Sequence, residues 1–267
     1  MAFSANPINQ PIEGNYMGYN YGLATTDAHV ANAPLIEPIN GKVVILFLGA
    51  STPKAVCSRL QNVLDVERGI TVNSQIVLVN GCVPSTSINR WKTATDSVWT
   101  NDVTNALSAA GLTFSDVRIV ITCQDDLDTN DNTFPNAPKQ LKNKYKSFLS
   151  VCLSKLPNLK QVHLLSRQYT GWTSDVTHAE PCAYNNGWTC KWLVEDYIAG
   201  TYTGVYVTDG CYPWTDGEIM RTDGFQILMT DYDKGANTDY VHMNSTGNSK
   251  VANLIHAFLL KFPYYAL

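Results

Sequence analysis

Five short stretches of the chain, "KVVILFLG", "SQIVLVNG", "VRIVITC", "LKQVHLLS" and "TGVYVTDG", are nearly unbroken runs of Val, Ile and Leu. They lack the polar–apolar alternation of a half-exposed strand, so they suit strands buried on both faces, as in a parallel sheet. Helix-like segments fall between them, around 53–66, 100–110, 138–155 and 187–199, with a last one around 246–261. In that last segment Val251, Leu254, Ile255 and Phe258 recur at helical spacing, and Asn244, Ser245 and Thr246 are N-cap residue types. Strand and helix in alternation predict an α/β fold. The expected form is a flavodoxin-like three-layer α/β/α sandwich with right-handed crossovers and a mainly parallel sheet of about five strands.

Residues 1–40 are rich in Asn, Pro, Gly and Tyr and show no sustained period, so they read as an extended arm lying on a domain at 41–267. No internal repeat and no second rhythm marks a further domain. A chain of 267 residues with 45% hydrophobic composition can bury an ordinary core. The net charge of −4, with 19 Lys plus Arg and no basic run, leaves no electrostatic footprint for nucleic acid or an anionic membrane. No apolar run approaches the roughly 20 residues of a membrane span. "MAFSANPINQPIEGNY" has neither the basic start nor the apolar stretch of a secretory signal. The expectation is a soluble protein, whether cytosolic, exported or virion-associated by another route, or cut from a longer precursor. The seven cysteines form no C-x-x-C pair and no zinc-type spacing, which argues against a metal site. Cys57, Cys123 and Cys152 sit in apolar segments as small hydrophobes, whereas Cys182, Cys190 and Cys211 are the disulfide candidates.

Open α/β sheets place their sites at the carboxyl ends of the strands, so the residues after each strand carry the functional signal. "GAST" follows the first, with Gly49 and Ser51; "NGCVPSTS" the second, with Asn80, Gly81 and Ser85; "CQDDLDTND" the third, with Gln124, Asp125 and Asp126. Ser51 fits two roles: an N-cap for the helix begun by Pro53, or a nucleophile whose oxyanion the helix N–H groups would stabilise. Asp239 and His242, in "NTDYVHMNS", stand three apart just before the final helix, as an orienting carboxylate and a general base would. His29, His163, His178 and His256 have no such partner at a motif-like spacing and read as structural or solvated.

The order of these blocks, from a first-strand Gly-x-Ser to a late Asp-x-x-His, resembles the SGNH hydrolase (GDSL-type esterase) superfamily over residues 42–262. The stretch "LLSRQYTGW…EPCAYNNGWTCKWLVE" looks like poorly characterised bacterial members. The resemblance implies a serine esterase without a cofactor: Ser51 as nucleophile, His242 as base, Asp239 as its partner, and the N–H groups of Ser51 and Gly81 in the oxyanion hole. Arg167, Tyr184 and Trp188 would contact substrate, or would brace a long loop together with Tyr169, Glu180, Lys191 and Trp192. The chain departs from the family at Ala50 and Thr52, where other polar residues are usual, and more seriously in the third block. There Asp126, or Asp125, stands where the family has an oxyanion-binding Asn. A carboxylate cannot donate, so Asp126 would have to be protonated, or the donor would be Gln124, Asn130 or Asn132.

The leading class is an ester hydrolase acting on an O-acetylated carbohydrate or, second, on a lipid or small acyl ester; a glycan-binding module and a cofactor binder are the competing classes. Tyr and Trp in "YNNGW", "GCYPW" and "SINRW" would stack on sugar rings, which favours a carbohydrate O-acetyl esterase. Loss of the third-block donor would instead suit a glycan-binding module of an adhesin or phage tail. A flavodoxin-like cofactor binder would need a Gly-rich phosphate loop, and none is found.

Overall fold

The computed structural model describes residues 24–129, 131–221, 223–232 and 239–267. Each of the five apolar runs carries one strand: β1 (Val43–Gly49), β2 (Ile76–Asn80), β3 (Val117–Cys123), β4 (Gln161–Leu165) and β5 (Tyr206–Cys211). They form one sheet in the order β2-β1-β3-β4-β5, every pair parallel. Among the described residues the helices are α1 (Asp27–Ala31), α2 (Ser51–Glu67), α3 (Ile88–Trp91), α4 (Thr104–Ala109), α5 (Asn136–Lys155), α6 (Cys182–Ile198) and α7 (Ser245–Leu259). No described helix is long and apolar enough to cross a membrane.

The strand runs are continuous because both faces are covered. Ile45, Phe47, Ile119 and Ile121 pack under Val56, Leu60, Val251 and Ile255 of α2 and α7. Their sequence neighbours Val44, Leu46, Leu48 and Val120 point the other way, under Tyr145, Phe148, Leu149 and Leu193 of α5 and α6. Burying such a side chain is worth about 1.5–3 kcal/mol. The result is a three-layer α/β/α sandwich in which β1 lies between β2 and β3, the point where the chain reverses direction across the sheet and a crevice opens at the carboxyl ends.

Two helices differ from the pattern-based reading. The segment expected at 100–110 opens as a π-helical turn, Val98–Val103, with Thr104 Oγ1 donating to Trp99 O at 2.9 Å. α6 starts at Cys182 rather than near 187, although Asn185, Asn186 and Gly187 are weak helix formers. Tertiary bonds hold them: Asn185 Nδ2 donates to Asn132 O at 2.9 Å and Asn186 Nδ2 to Gln124 O at 2.8 Å.

All seven cysteines are free thiols. Cys190 and Cys211, expected as disulfide candidates with Cys182, are buried in α6 and β5 like Cys57, Cys123 and Cys152, and only Cys182 is partly exposed. They pack as small apolar groups, and burial pushes their thiols up.

Residues 24–29 lie against β5, and further on Pro34 O accepts from Gln161 Nε2 at the start of β4 at 2.7 Å. Ala24 N and Thr25 N donate to the Asp209 carboxylate at 3.0 and 2.8 Å, and His29 Nε2 lies 2.8 Å from Val207 O. Residues 1–23 of the expected arm lie outside the described residues.

His163 sits fully buried on β4, with Nδ1 3.2 Å from Thr208 Oγ1 and Nε2 2.9 Å from Tyr264 Oη. Burial pushes its pKa down from 6.5 to about 3. Above the unfolded value both states are neutral and no penalty applies. Below it the unfolded imidazole takes a proton that the folded one refuses, so stability falls from about pH 6.5 towards pH 3 by up to roughly 1.4 kcal/mol per pH unit. Thermal melts at about pH 7.5 and about pH 4.5 should show a smaller acid-induced drop in His163→Gln than in the parent. An equal drop would show that His163 does not carry this sensitivity.

Candidate active site

β1 turns directly into α2 through Gly49, whose φ is +148°. A Cβ there would lie 2.4 Å from Cys123 O and 2.6 Å from Pro53 Cγ, so only glycine lets the turn press against the end of β3. α2 begins at Ser51 with Ala50 as its cap residue and no side-chain cap bond. The first intrahelical donor is Lys54 N, to Ala50 O at 3.2 Å, and Pro53 has no N–H. The N–H groups of Ser51 and Thr52 therefore open the helix at the positive end of its dipole.

Ser51 Oγ is 2.7 Å from His242 Nε2, and His242 Nδ1 is 2.5 Å from Asp239 Oδ2. Asp239 Oδ1 also accepts from Val241 N and His242 N, each at 2.9 Å, in a turn where Tyr240 has φ 52°. Burial pushes the Asp239 carboxyl up, but the His242 backbone and imidazole and the Val241 N–H outweigh it and hold it below the usual carboxylate range. An ionised Asp239 accepts a hydrogen bond from Nδ1–H and so holds the proton on Nδ1, which leaves Nε2 to accept from the Ser51 hydroxyl. Serine, imidazole and carboxylate are thus in line, and the serine proton has an acceptor in place.

A cavity of about 270 Å³ opens beside Ser51 and His242, with Ser85, Asp125, Arg167, Gln168 and His178 on its walls. Arg167 Nη1 donates to Asp125 Oδ2, and these side chains are only 6% and 12% exposed. Burial opposes the guanidinium charge, yet Asp125 more than compensates and moves the Arg167 pKa above its ordinary value. Asp125 Oδ1 also accepts from Asn186 Nδ2 at 3.3 Å. Among the described residues no cluster of His, Cys, Asp and Glu is placed to hold a metal ion.

The architecture is similar to that of a putative GDSL-like lipase from Parabacteroides merdae, at 14% identity and a TM-score of 0.51, over 85% of this chain and 100% of that one. The chain has the GDSL-like hydrolase fold. A GDSL-like lipase from Bacteroides thetaiotaomicron aligns with a TM-score of 0.49 at 13% identity, over 88% of this chain and 94% of that one. No protein-family model and no curated protein matches the sequence.

On this GDSL-like scaffold the structure brings Ser51, His242 and Arg167 to one cavity, with Asp239 bonded to His242, and other expected residues lie elsewhere. Gly81 N donates to Phe47 O at 2.9 Å, prolonging the β1–β2 ladder, so its N–H cannot serve an oxyanion. Asp126 pairs with Lys144 Nζ and accepts from Asn89 Nδ2 at 3.2 Å, and it lines a neighbouring small cleft rather than the Ser51 cavity. It is Asp125 that lines the Ser51 cavity, where Arg167 holds its carboxylate. Gln124 is buried with Nε2 on Thr122 Oγ1 at 3.1 Å, Asn132 lines the neighbouring cleft, and Asn130 lies outside the described residues.

Tyr184 and Trp188 are buried against Tyr212 and Trp214 in a cluster of their own. Glu180 anchors that cluster, accepting from Trp214 Nε1 at 3.0 Å and Tyr184 N at 3.1 Å. This is the loop-bracing alternative rather than substrate contact. Trp91 of "SINRW" is likewise core, so none of the three aromatic loop motifs offers these rings for sugar stacking.

Ser85 and His178 also line the cavity. Ser85, with φ 57°, is the second-loop residue on the cavity wall. His178 has Nδ1 2.9 Å from both Asp175 Oδ2 and Thr177 Oγ1. The Thr177 hydroxyl and N–H hold the Asp175 carboxyl down at about 2. Their signal was present, since Asp175 and His178 repeat the Asp-x-x-His spacing of Asp239 and His242.

Proposed function

We propose that the protein is a serine ester hydrolase working through an acyl-enzyme on Ser51, with an O-acetylated carbohydrate as substrate. The observation that supports it best is the continuous contact from Asp239 through His242 to Ser51 Oγ, at the mouth of a cavity and at the positive end of a helix. His242 takes the serine proton as Oγ attacks the ester carbonyl, then gives it to the leaving alcohol. Water repeats the sequence to release the acid. Asp239 keeps the proton on Nδ1 throughout, and the N–H of Ser51 faces the developing oxyanion.

The substrate class rests on the cavity. Its size, about 270 Å³, suits a short acyl group, and Ser85, Gln168 and His178 on its walls can bond hydroxyls of a sugar. Stacking aromatics no longer support the sugar reading, and the polar rim does.

The competing reading is a glycan-binding module, favoured by the Asp125 carboxylate beside the serine. A fluorophosphonate probe followed by peptide mapping separates the two. Labelling confined to Ser51 in the native protein, and abolished by prior heating, is the expected result. An unlabelled native protein would leave the binding module. Faster release of acetate from an acetylated glycan than of octanoate from its p-nitrophenyl ester checks the short acyl group and the sugar.

A further inference from the structure

Among the described residues, no third-loop side chain named as an oxyanion donor lines the Ser51 cavity. Gly81 gives its N–H to Phe47, Asp126 is turned to Lys144, and Gln124 is buried on Thr122. The third loop presents Asp125 to the cavity instead, a carboxylate that would repel negative charge if it stood alone. It does not stand alone. Arg167, from the loop after β4, is the cation among the described residues lining the cavity, and it is joined to Asp125.

We propose that Arg167 supplies the oxyanion donor at Ser51 in place of a side-chain amide, with Asp125 as the residue that positions it; this rests on the esterase reading. Three features favour it. First, one nitrogen of the guanidinium holds Asp125 and the planar fork carries further N–H groups at fixed angles, so a second acceptor can be bound without moving the first. Second, both side chains are almost wholly buried, and Asn186 steadies the carboxylate, so the donor is in place before the reaction starts. Third, Asp125 cancels the net charge of the pair while the other guanidinium N–H groups remain donors. An unpaired guanidinium would hold the carboxylate product, whereas a neutralised one favours the oxyanion through short-range hydrogen bonding.

No proton moves to or from Arg167. As the Ser51 Oγ–carbonyl bond forms, the carbonyl π pair moves to oxygen and is held by the N–H groups of Ser51 and Arg167, while His242 Nε2 takes the hydroxyl proton. Collapse returns the pair and breaks the bond to the alcohol, which leaves with that proton.

The test is steady-state hydrolysis of p-nitrophenyl acetate by the full chain, with melting temperature measured on every variant. Arg167→Met should lower kcat by roughly a hundredfold to a thousandfold with KM within about twofold, the signature of losing one transition-state donor. Arg167→Lys preserves the ion pair, but a single ammonium cannot hold Asp125 and also reach the oxyanion, so kcat should fall at least about tenfold. The double change Asp125→Asn with Arg167→Met removes the charge pair together and leaves an amide at the cavity, and should recover at least about tenfold over Arg167→Met. A folded Arg167→Lys with wild-type kcat would overturn the proposal. So would a rise in KM with kcat intact, which would make Arg167 a substrate anchor. Absence of Ser51 labelling in the unmodified protein would instead remove the esterase reading itself, so the two failures are distinct.

Discussion

Ser51→Ala and His242→Ala are each expected to cut p-nitrophenyl acetate hydrolysis by about four to six orders of magnitude, with no change in melting temperature. The size follows from the contact chain. Ser51 Oγ meets His242 Nε2 at 2.7 Å, and the imidazole is fixed by Asp239, so removing either partner removes the whole proton relay. Combining both substitutions should therefore cost little more than one. Stability should be untouched because His242 and Asp239 are each 44% exposed and fill no core. Asp239→Asn should lose about four orders of magnitude, since an amide stabilises the wrong imidazole tautomer. Rates near the parent in any of these variants would end the assignment.

Gly49→Ala is expected to be the most damaging single-methyl change. A side chain at φ +148° is strained in any surroundings, and the added Cβ would lie 2.4 Å from the backbone oxygen of Cys123. Neither the end of β3 nor the first turn of α2 can yield easily, because β1 and β3 are wholly buried. A loss of at least about 3 kcal/mol follows, or a fall of roughly 6–12 °C in melting temperature. Whatever folds should also be slow, as a shift of about 1 Å in Ser51 can cost about a hundredfold in rate. Differential scanning calorimetry beside a rate assay reads both, and an unchanged melt would show that the strand-to-helix turn is not this tight.

The layered α/β architecture, and the strand ends where the chemistry should lie, are legible in the order of residues alone. Parallel strands covered on both faces must be apolar along their whole length, so "KVVILFLG" and "VRIVITC" announced themselves without neighbours. Helices covered on one face must repeat near every fourth residue, as Val251, Ile255 and Leu259 do. Ser51, Asp239 and His242 could be singled out because their meaning lies in local spacing and in their place at element ends.

The remaining features depend on partners that lie far along the chain. Asp125 rather than Asp126 lines the Ser51 cavity because Arg167 holds the one and Lys144 the other. Gly81 has no N–H to offer because Phe47 O accepts it. Tyr184, Trp188 and Trp214 look like a surface for sugars until Glu180 is seen to gather them inward. Cys190 and Cys211 look available for pairing until helix and sheet bury them singly. Hydrophobic periodicity is a property of one segment, so one segment reveals it. The direction of a polar side chain is set by whichever distant group satisfies its hydrogen bonds, and that partner exists only once the chain has folded.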